Sequence, residues 1–357
     1  MSGTEWKPSI RGGPDDPAEP ESERWRRADS YPRTLATGRS NTGTGTGTDA
    51  GADAGIGAGG SRSERGLGFD PALKHFASAF RPLDPRISDP AAHEAWQGTR
   101  RAAMEIALRA VGASGWADSL VLRGSMLMKQ WFGPAAREPH DLDFVVVPVD
   151  WQIEEERTDR MLDAVAAAAE ELAREAGGAP VIAASDAVSE YIWTYERVPG
   201  RRLVLPWSAP GLPGGQVQLD FVFNEALPVV PEPVRVAGVR LLGATKELSL
   251  AWKLMWLACD LYPQGKDLYD ATLLAEHCSL PHALLEDVLR RSGEWEGAGG
   301  VLLPVTAEAF AGLAEADWAE FRAEYPALTA GPDASAQGHA RRLLALLAPV
   351  FAQGAAR

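Results

Sequence analysis

Asp141-Leu142-Asp143-Phe144-Val145-Val146-Val147 is the stretch on which the fold turns. Its β-branched, apolar run makes it the strongest strand signal in the chain. Alternate residues of a strand share a face, so the carboxylates of Asp141 and Asp143 project from the same side. Upstream, residues 120–122 form a brief apolar run closed by Arg123, Gly124 and Ser125, and residues 126–132 then read as a short helix that Pro134 terminates. The order is strand, Gly-Ser turn, helix, strand.

Working outward, Asp89 is placed as the N-cap of a helix with Pro90 at its first position and its end near Gly112. Residues 159–176 form an alanine-rich amphipathic helix. Strands are expected at 181–183, 191–198, 202–205 and 216–223, the last two joined as a long hairpin through a loop around Pro206, Pro210 and Pro213. After Gly243 the pattern turns helical, at 246–261, 267–277 and 281–291 and more weakly at 306–313, 317–325 and 337–351. The fold class is therefore α+β with a mixed sheet, 67–243, followed by a helical domain, 244–357. Residues 71–80 could add one helix. Residues 1–66, rich in Gly, Pro, Ser, Thr and Arg, bury too little apolar surface to offset chain entropy and are expected to be a disordered tail.

A chain of 357 residues, 45% hydrophobic and 24% charged, supports a packed core, which excludes a fibrous or wholly disordered protein. Two cysteines are too few for a disulfide scaffold. With no long apolar run and no signal-peptide pattern at the start, the expectation is a cytoplasmic protein without a membrane partner. The net charge is −14, and the tail is nearly balanced, so the acidity belongs to the folded part. A nucleic-acid partner would have to meet a local basic patch. The Arg100-Arg101, Arg290-Arg291 and Arg341-Arg342 steps are the places for one, although paired basics on helices are more often solvated faces.

Two carboxylates at i and i+2 suit Mg²⁺, which takes oxygen ligands together with substrate phosphates, although an Asp-x-Asp by itself is common by chance. Gly124-Ser125 at a helix start offers free N–H groups and a hydroxyl to a phosphate; the plainer reading is an ordinary N-cap serine. Asp220, amid Leu219, Phe221, Val222 and Phe223, must be solvated, paired or metal-bound, either as a third ligand or as a polar residue on a solvated face. Trp252 and Trp256, four apart, read as core, and the histidines show no zinc-ligand spacing.

Gly-Ser turn, Asp-x-Asp strand and later acid together resemble the polymerase-β-type nucleotidyltransferase superfamily. Leu122-Arg123-Gly124-Ser125-Met126-Leu127-Met128, with Arg137 four residues before Asp141, is similar to the opening motif of the AbiEii/AbiGii nucleotidyltransferase toxins. Leu250-Ala251-Trp252-Lys253-Leu254 and Lys266-Asp267-Leu268-Tyr269-Asp270 resemble that family's later motifs; the arginine usual about four residues after the lysine is Leu257 here.

The resemblance implies a polymerase-β-like fold and a Mg²⁺-dependent transfer of a nucleotide from an NTP to an RNA acceptor, the tRNA 3′ end. It also implies a cognate antitoxin and a role in abortive infection or phage defence. Asp141, Asp143 and Asp220 would hold metal. Gly124, Ser125, Arg137 and Lys253 would hold the nucleotide, and Asp267 would orient Lys253 or accept a proton, with Asp270 structural. Two rivals stand beside this reading: transfer to a small aminoglycoside-like acceptor, and a catalytically inactive domain that binds a nucleotide or partner.

Overall fold

The computed structural model describes residues 84–194, 198–259, 263–292, 304–331 and 334–355, with short strands at Arg33–Thr34, Leu67–Phe69 and Phe80–Pro82. The rest of the expected tail, 1–66, and the helix expected within 71–80 lie outside the described residues.

In chain order the elements are α1 (Pro90–Ala113), β1 (Leu120–Arg123), α2 (Ser125–Phe132), β2 (Asp141–Val146), α3 (Glu156–Ala176), β3 (Val181–Ile182), β4 (Val188–Thr194), β5 (Val198–Ala209) and β6 (Leu212–Val222). They continue with β7 (Glu232–Val236), β8 (Val239–Gly243), α4 (Lys246–Cys259), α5 (Gly265–Ala275), α6 (His282–Ser292), α7 (Trp318–Glu324) and α8 (Ala336–Ala355). This is a mixed α+β architecture with helices at its C-terminal end. It comprises two units interleaved along the chain: the described part of Met1–Trp116 with Gln152–Trp193 and Pro199–Asp220, and Ala117–Trp151 with Thr194–Val198 and Phe221–Arg357.

In the first unit, α1 packs on α3. Asp89 caps α1 as expected, its side chain accepting from the Ala92 N–H at 2.7 Å. Trp96 of α1 donates its Nε1–H to the Pro213 carbonyl at 3.0 Å and packs on Trp207 with ring centroids 5.6 Å apart. The expected proline loop contracts. β5 runs straight through Pro206, leaving only Pro210 and Gly211 between it and β6.

In the second unit, β1 lies between β2 and β8, antiparallel to β2 and parallel to β8, and β7 flanks β8 antiparallel. The β7–β8 hairpin is absent from the sequence reading. Its turn at Ala237-Gly238 takes positive φ at both residues, 47° and 81°, without the Asn-Gly or Asp-Gly pair that usually announces such a turn. In β2 the expected alternation holds: Leu142 and Phe144 are fully buried, whereas Asp141 and Asp143 are half-exposed on the other face. Phe144 stacks on Phe221, at the end of β6, with centroids 5.5 Å apart. Helix α4 packs on α5 and α6, and α5 packs on α8.

Candidate active site

The register of the β1–β2 ladder sets Arg123 opposite Asp143, so the residue after Arg123, which caps α2, lies beside the second carboxylate. Gly124 is the N-cap of α2 with φ 75° and ψ −153°, a conformation natural to glycine alone. A Cβ at this position would overlap Asp143 Oδ2 and lie 3.2 Å from its Cγ. Backbone conformation and close approach therefore impose the same residue. Ser125 is then the first helical residue, not the N-cap serine of the plainer reading. It is 1% exposed, and its Oγ has no hydrogen-bond partner among the described residues. The leading N–H groups of a helix have no partner within it, so the start of α2 offers donors to an anion.

A second cluster lies behind this turn. Lys253 of α4 donates from Nζ to Asp267 Oδ1 at 2.6 Å and lies 3.1 Å from Asp270 Oδ2. Arg137, just ahead of β2, donates from Nε to the same Asp270 Oδ2 at 3.2 Å. All four are buried, Asp270 completely. Burial pulls Lys253 down, yet Asp267 and Asp270 hold its pKa above the ordinary value. Burial likewise opposes the charge on Arg137, but Asp270, Tyr325, Asp141 and Asp267 together outweigh it and raise its pKa. For Asp267, burial pushes upward, but Lys253 and Lys266 win and lower it. Lys253, Arg137 and Asp267 are thus each shifted toward the charged form, and Asp270 bridges the two cations.

Sequence reasoning missed Arg123 as an organiser. It is 3% exposed, pairs with Glu225 at 2.6 Å, and lies over the rings of Trp252 and Trp256 at 5.2 and 5.8 Å. Burial raises the Glu225 pKa against the pull of Arg123. The available signal was an arginine closing an apolar strand, which has to find a partner when buried. Trp252 is core as expected; Trp256 is half-buried, beneath Lys253 Nζ at 4.7 Å. Gly124, Met128, Ser249, Trp252, Lys253 and Trp256 together line a small cavity.

The structure thus gathers Asp141, Asp143, Gly124, Ser125, Arg137, Lys253 and Asp267 within the second unit. Asp220 ends the segment assigned to the first unit, where its two oxygens accept from Arg202 Nε and Nη2 at 2.7 and 2.8 Å. Among the described residues no group of three or more His, Cys, Asp or Glu is arranged to hold a metal ion. Mg²⁺ fits the two carboxylates of β2 nonetheless: both are half-exposed on one face, and Mg²⁺ completes its shell with waters and substrate phosphates.

Of the double-basic steps, Arg100 pairs with Asp84, Arg101 with Glu94, and Arg290 and Arg291 with Asp287. Arg342 pairs with Glu276, but Arg341 is exposed and has no acidic partner among the described residues. Gly338, His339, Arg341 and Arg342 line an open concavity, and His339 packs on Tyr269 of α5 with centroids 5.5 Å apart.

A helix start with unpartnered N–H groups set beside a strand carboxylate suits an enzyme that handles nucleotides, and residues 106–338 match a family of nucleotidyl transferases. The chain belongs to that family, the nucleotidyl transferase AbiEii toxins of type IV toxin–antitoxin systems. Nucleotidyl transfer is accordingly its activity, an NTP its substrate class, and a cognate antitoxin is implied. No curated protein matches the chain at a significant level. No helix among the described residues is long and apolar enough to cross a membrane.

Proposed function

We propose that this toxin transfers a nucleotide from an NTP to the 3′ end of an RNA acceptor, tRNA in the first instance, on a polymerase-β-like scaffold. The observation that carries the reading is the approach of Asp143 to Gly124, which sets a metal-binding carboxylate against the helix start that would receive a phosphate.

Asp141 and Asp143 would hold Mg²⁺, which when bound neutralises charge on the phosphates and polarises the α-phosphorus. The amides at the start of α2 and the Ser125 hydroxyl hold the polyphosphate. Lys253 faces the same cavity as a point charge, its ammonium oriented by Asp267 at 2.6 Å. The acceptor hydroxyl attacks the α-phosphorus, the bond to the pyrophosphate oxygen breaks, and the hydroxyl proton leaves to a carboxylate or solvent. Positioning and charge stabilisation supply the rate. The Arg123–Glu225 pair and the Arg137–Asp270–Lys253–Asp267 cluster act through the placement of these groups.

The concavity around Arg341 supports RNA over a small acceptor, because it offers a cation without an acidic partner in a chain of net charge −14. Incubating the protein with bulk tRNA, Mg²⁺ and each α-labelled NTP in turn, beside Asp143→Ala, tests the proposal. Label on RNA with the wild type alone is the expected result. Pyrophosphate release only when aminoglycosides are supplied would move the assignment to a small-molecule acceptor.

A further inference from the structure

Ser249 is the orphan of α4. It is 7% exposed, and its Oγ has no hydrogen-bond partner among the described residues. A helical serine commonly bonds its hydroxyl back to the carbonyl four residues earlier. Here the Thr245 carbonyl accepts the Ser249 backbone N–H at 2.9 Å, and the hydroxyl is left unused. A buried hydroxyl without a partner is destabilising and calls for a reason. The surroundings supply one. Ser249 precedes Lys253 by four residues, so the two share a helix face, and both line the cavity that Gly124 closes from the start of α2. Trp252, Trp256 and Met128 form the apolar remainder of that lining.

The ligand chemistry follows from this company. Lys253 and Ser249 share the lining of this narrow space with Gly124, the cap of a helix whose leading N–H groups have no partner within it, and ammonium, hydroxyl and amide alike donate to an oxyanion. The second buried hydroxyl without a partner at this turn, Ser125 Oγ, stands at the head of the same helix. We infer that Ser249 is a nucleotide-positioning residue whose hydroxyl donates to a phosphate oxygen of the bound NTP, completing from α4 the anion site that Gly124 and Ser125 open from α2. The inference rests on the reading of that turn as the phosphate site. Ser249 lies outside every motif that the sequence brought forward, because a serine inside a leucine-rich helix carries no spacing signal.

Binding of each of the four Mg-NTPs to the full chain, measured by calorimetry, decides the matter for wild type, Ser249→Ala, Ser249→Thr and Ser125→Ala. For the nucleotide that binds wild type tightest, Ser249→Ala weakens binding by about ten-fold, the effect of losing one hydrogen bond to a charged group. Ser249→Thr restores it. In turnover, Ser249→Ala raises the KM for that NTP while kcat and the KM for tRNA stay within about two-fold, and the melting temperature of the nucleotide-free protein does not fall. If Ser125→Ala weakens binding and Ser249→Ala does not, the role of Ser249 is overturned and the phosphate site stands. If neither substitution changes the affinity, or no NTP binds wild type, the phosphate-site reading fails and this inference with it. Should Ser249→Ala not fold, Ser249→Cys, nearly isosteric and a weak donor, takes its place with the same expected weakening.

Discussion

Lys253 and Asp267 form a buried ion pair, Nζ to Oδ1 at 2.6 Å, across the junction between α4 and α5. Asp270, one turn further along α5, reaches the same ammonium and also Arg137, so the pair belongs to a cluster tying both helices to the residues that lead into β2. Charges removed from water in this way are tolerated only as a set. Losing one member leaves another buried and uncompensated.

Asp270 bridges both cations and is fully buried, so Asp270→Asn is expected to destabilise the fold by about 3–5 kcal/mol. Urea denaturation followed by circular dichroism measures it. A loss below about 0.5 kcal/mol, the range of ordinary surface substitutions, would mean that the cluster is not a structural unit.

The same cluster sets a pH dependence. Asp267 is held below the ordinary carboxylate value, so its contribution to stability is present above about pH 4, the unfolded value, and is lost as pH falls through the folded one. Lys253 is held above the ordinary lysine value, so its contribution is present below about pH 10.4 and is lost as pH rises through the folded value. The gap in urea midpoint between wild type and Asp267→Asn should therefore narrow as the pH is lowered from about 6 to about 3. A gap independent of pH over that span would contradict the pairing.

Asp141→Asn and Asp143→Asn keep shape and remove charge. Each is expected to lower nucleotidyl transfer by at least about a hundred-fold while the protein stays folded, because the proposed metal site needs the charge of both carboxylates, which are half-exposed on one face of β2. Comparable turnover in either variant would remove that carboxylate from the metal site.

Arg341→Glu is expected to raise the KM for tRNA by about ten-fold at low salt and to flatten its salt dependence by roughly one phosphate contact. Binding of the NTP, measured without RNA, should not change. An unaltered salt slope would place the RNA elsewhere.

Much of the candidate site was legible because its signals are local. A β-branched run, a Gly-Ser step and a two-residue alternation located β1, α2 and β2 and placed Asp141 and Asp143 on one face. The contact between Arg137 and Asp270 joins residues 133 positions apart, and no periodicity encodes it; only the family resemblance put both on the page. Pro206 was read as a strand end, yet β5 carries it: the strand has β4 and β6 as neighbours and pairs β3 at the two residues after the proline, and the φ that proline fixes is compatible with extended backbone, so proline alone does not end a strand. The β7–β8 hairpin escaped because its turn lacks the residues that usually announce one. Ser249 and Arg123 were missed for a different reason: each matters through what it faces, which a linear pattern does not record.

The tight seat of Gly124 against Asp143 also bears on inheritance. Every replacement of glycine brings a Cβ, and at this position any Cβ collides with the carboxylate beside it. A cell escaping its own toxin therefore needs no frameshift or truncation. A single missense change in codon 124 would disarm the enzyme while leaving a folded protein with its distant surfaces intact, among them whatever surface the antitoxin reads. Lineages that have shed the toxicity but kept the gene should carry their lesion disproportionately at this codon.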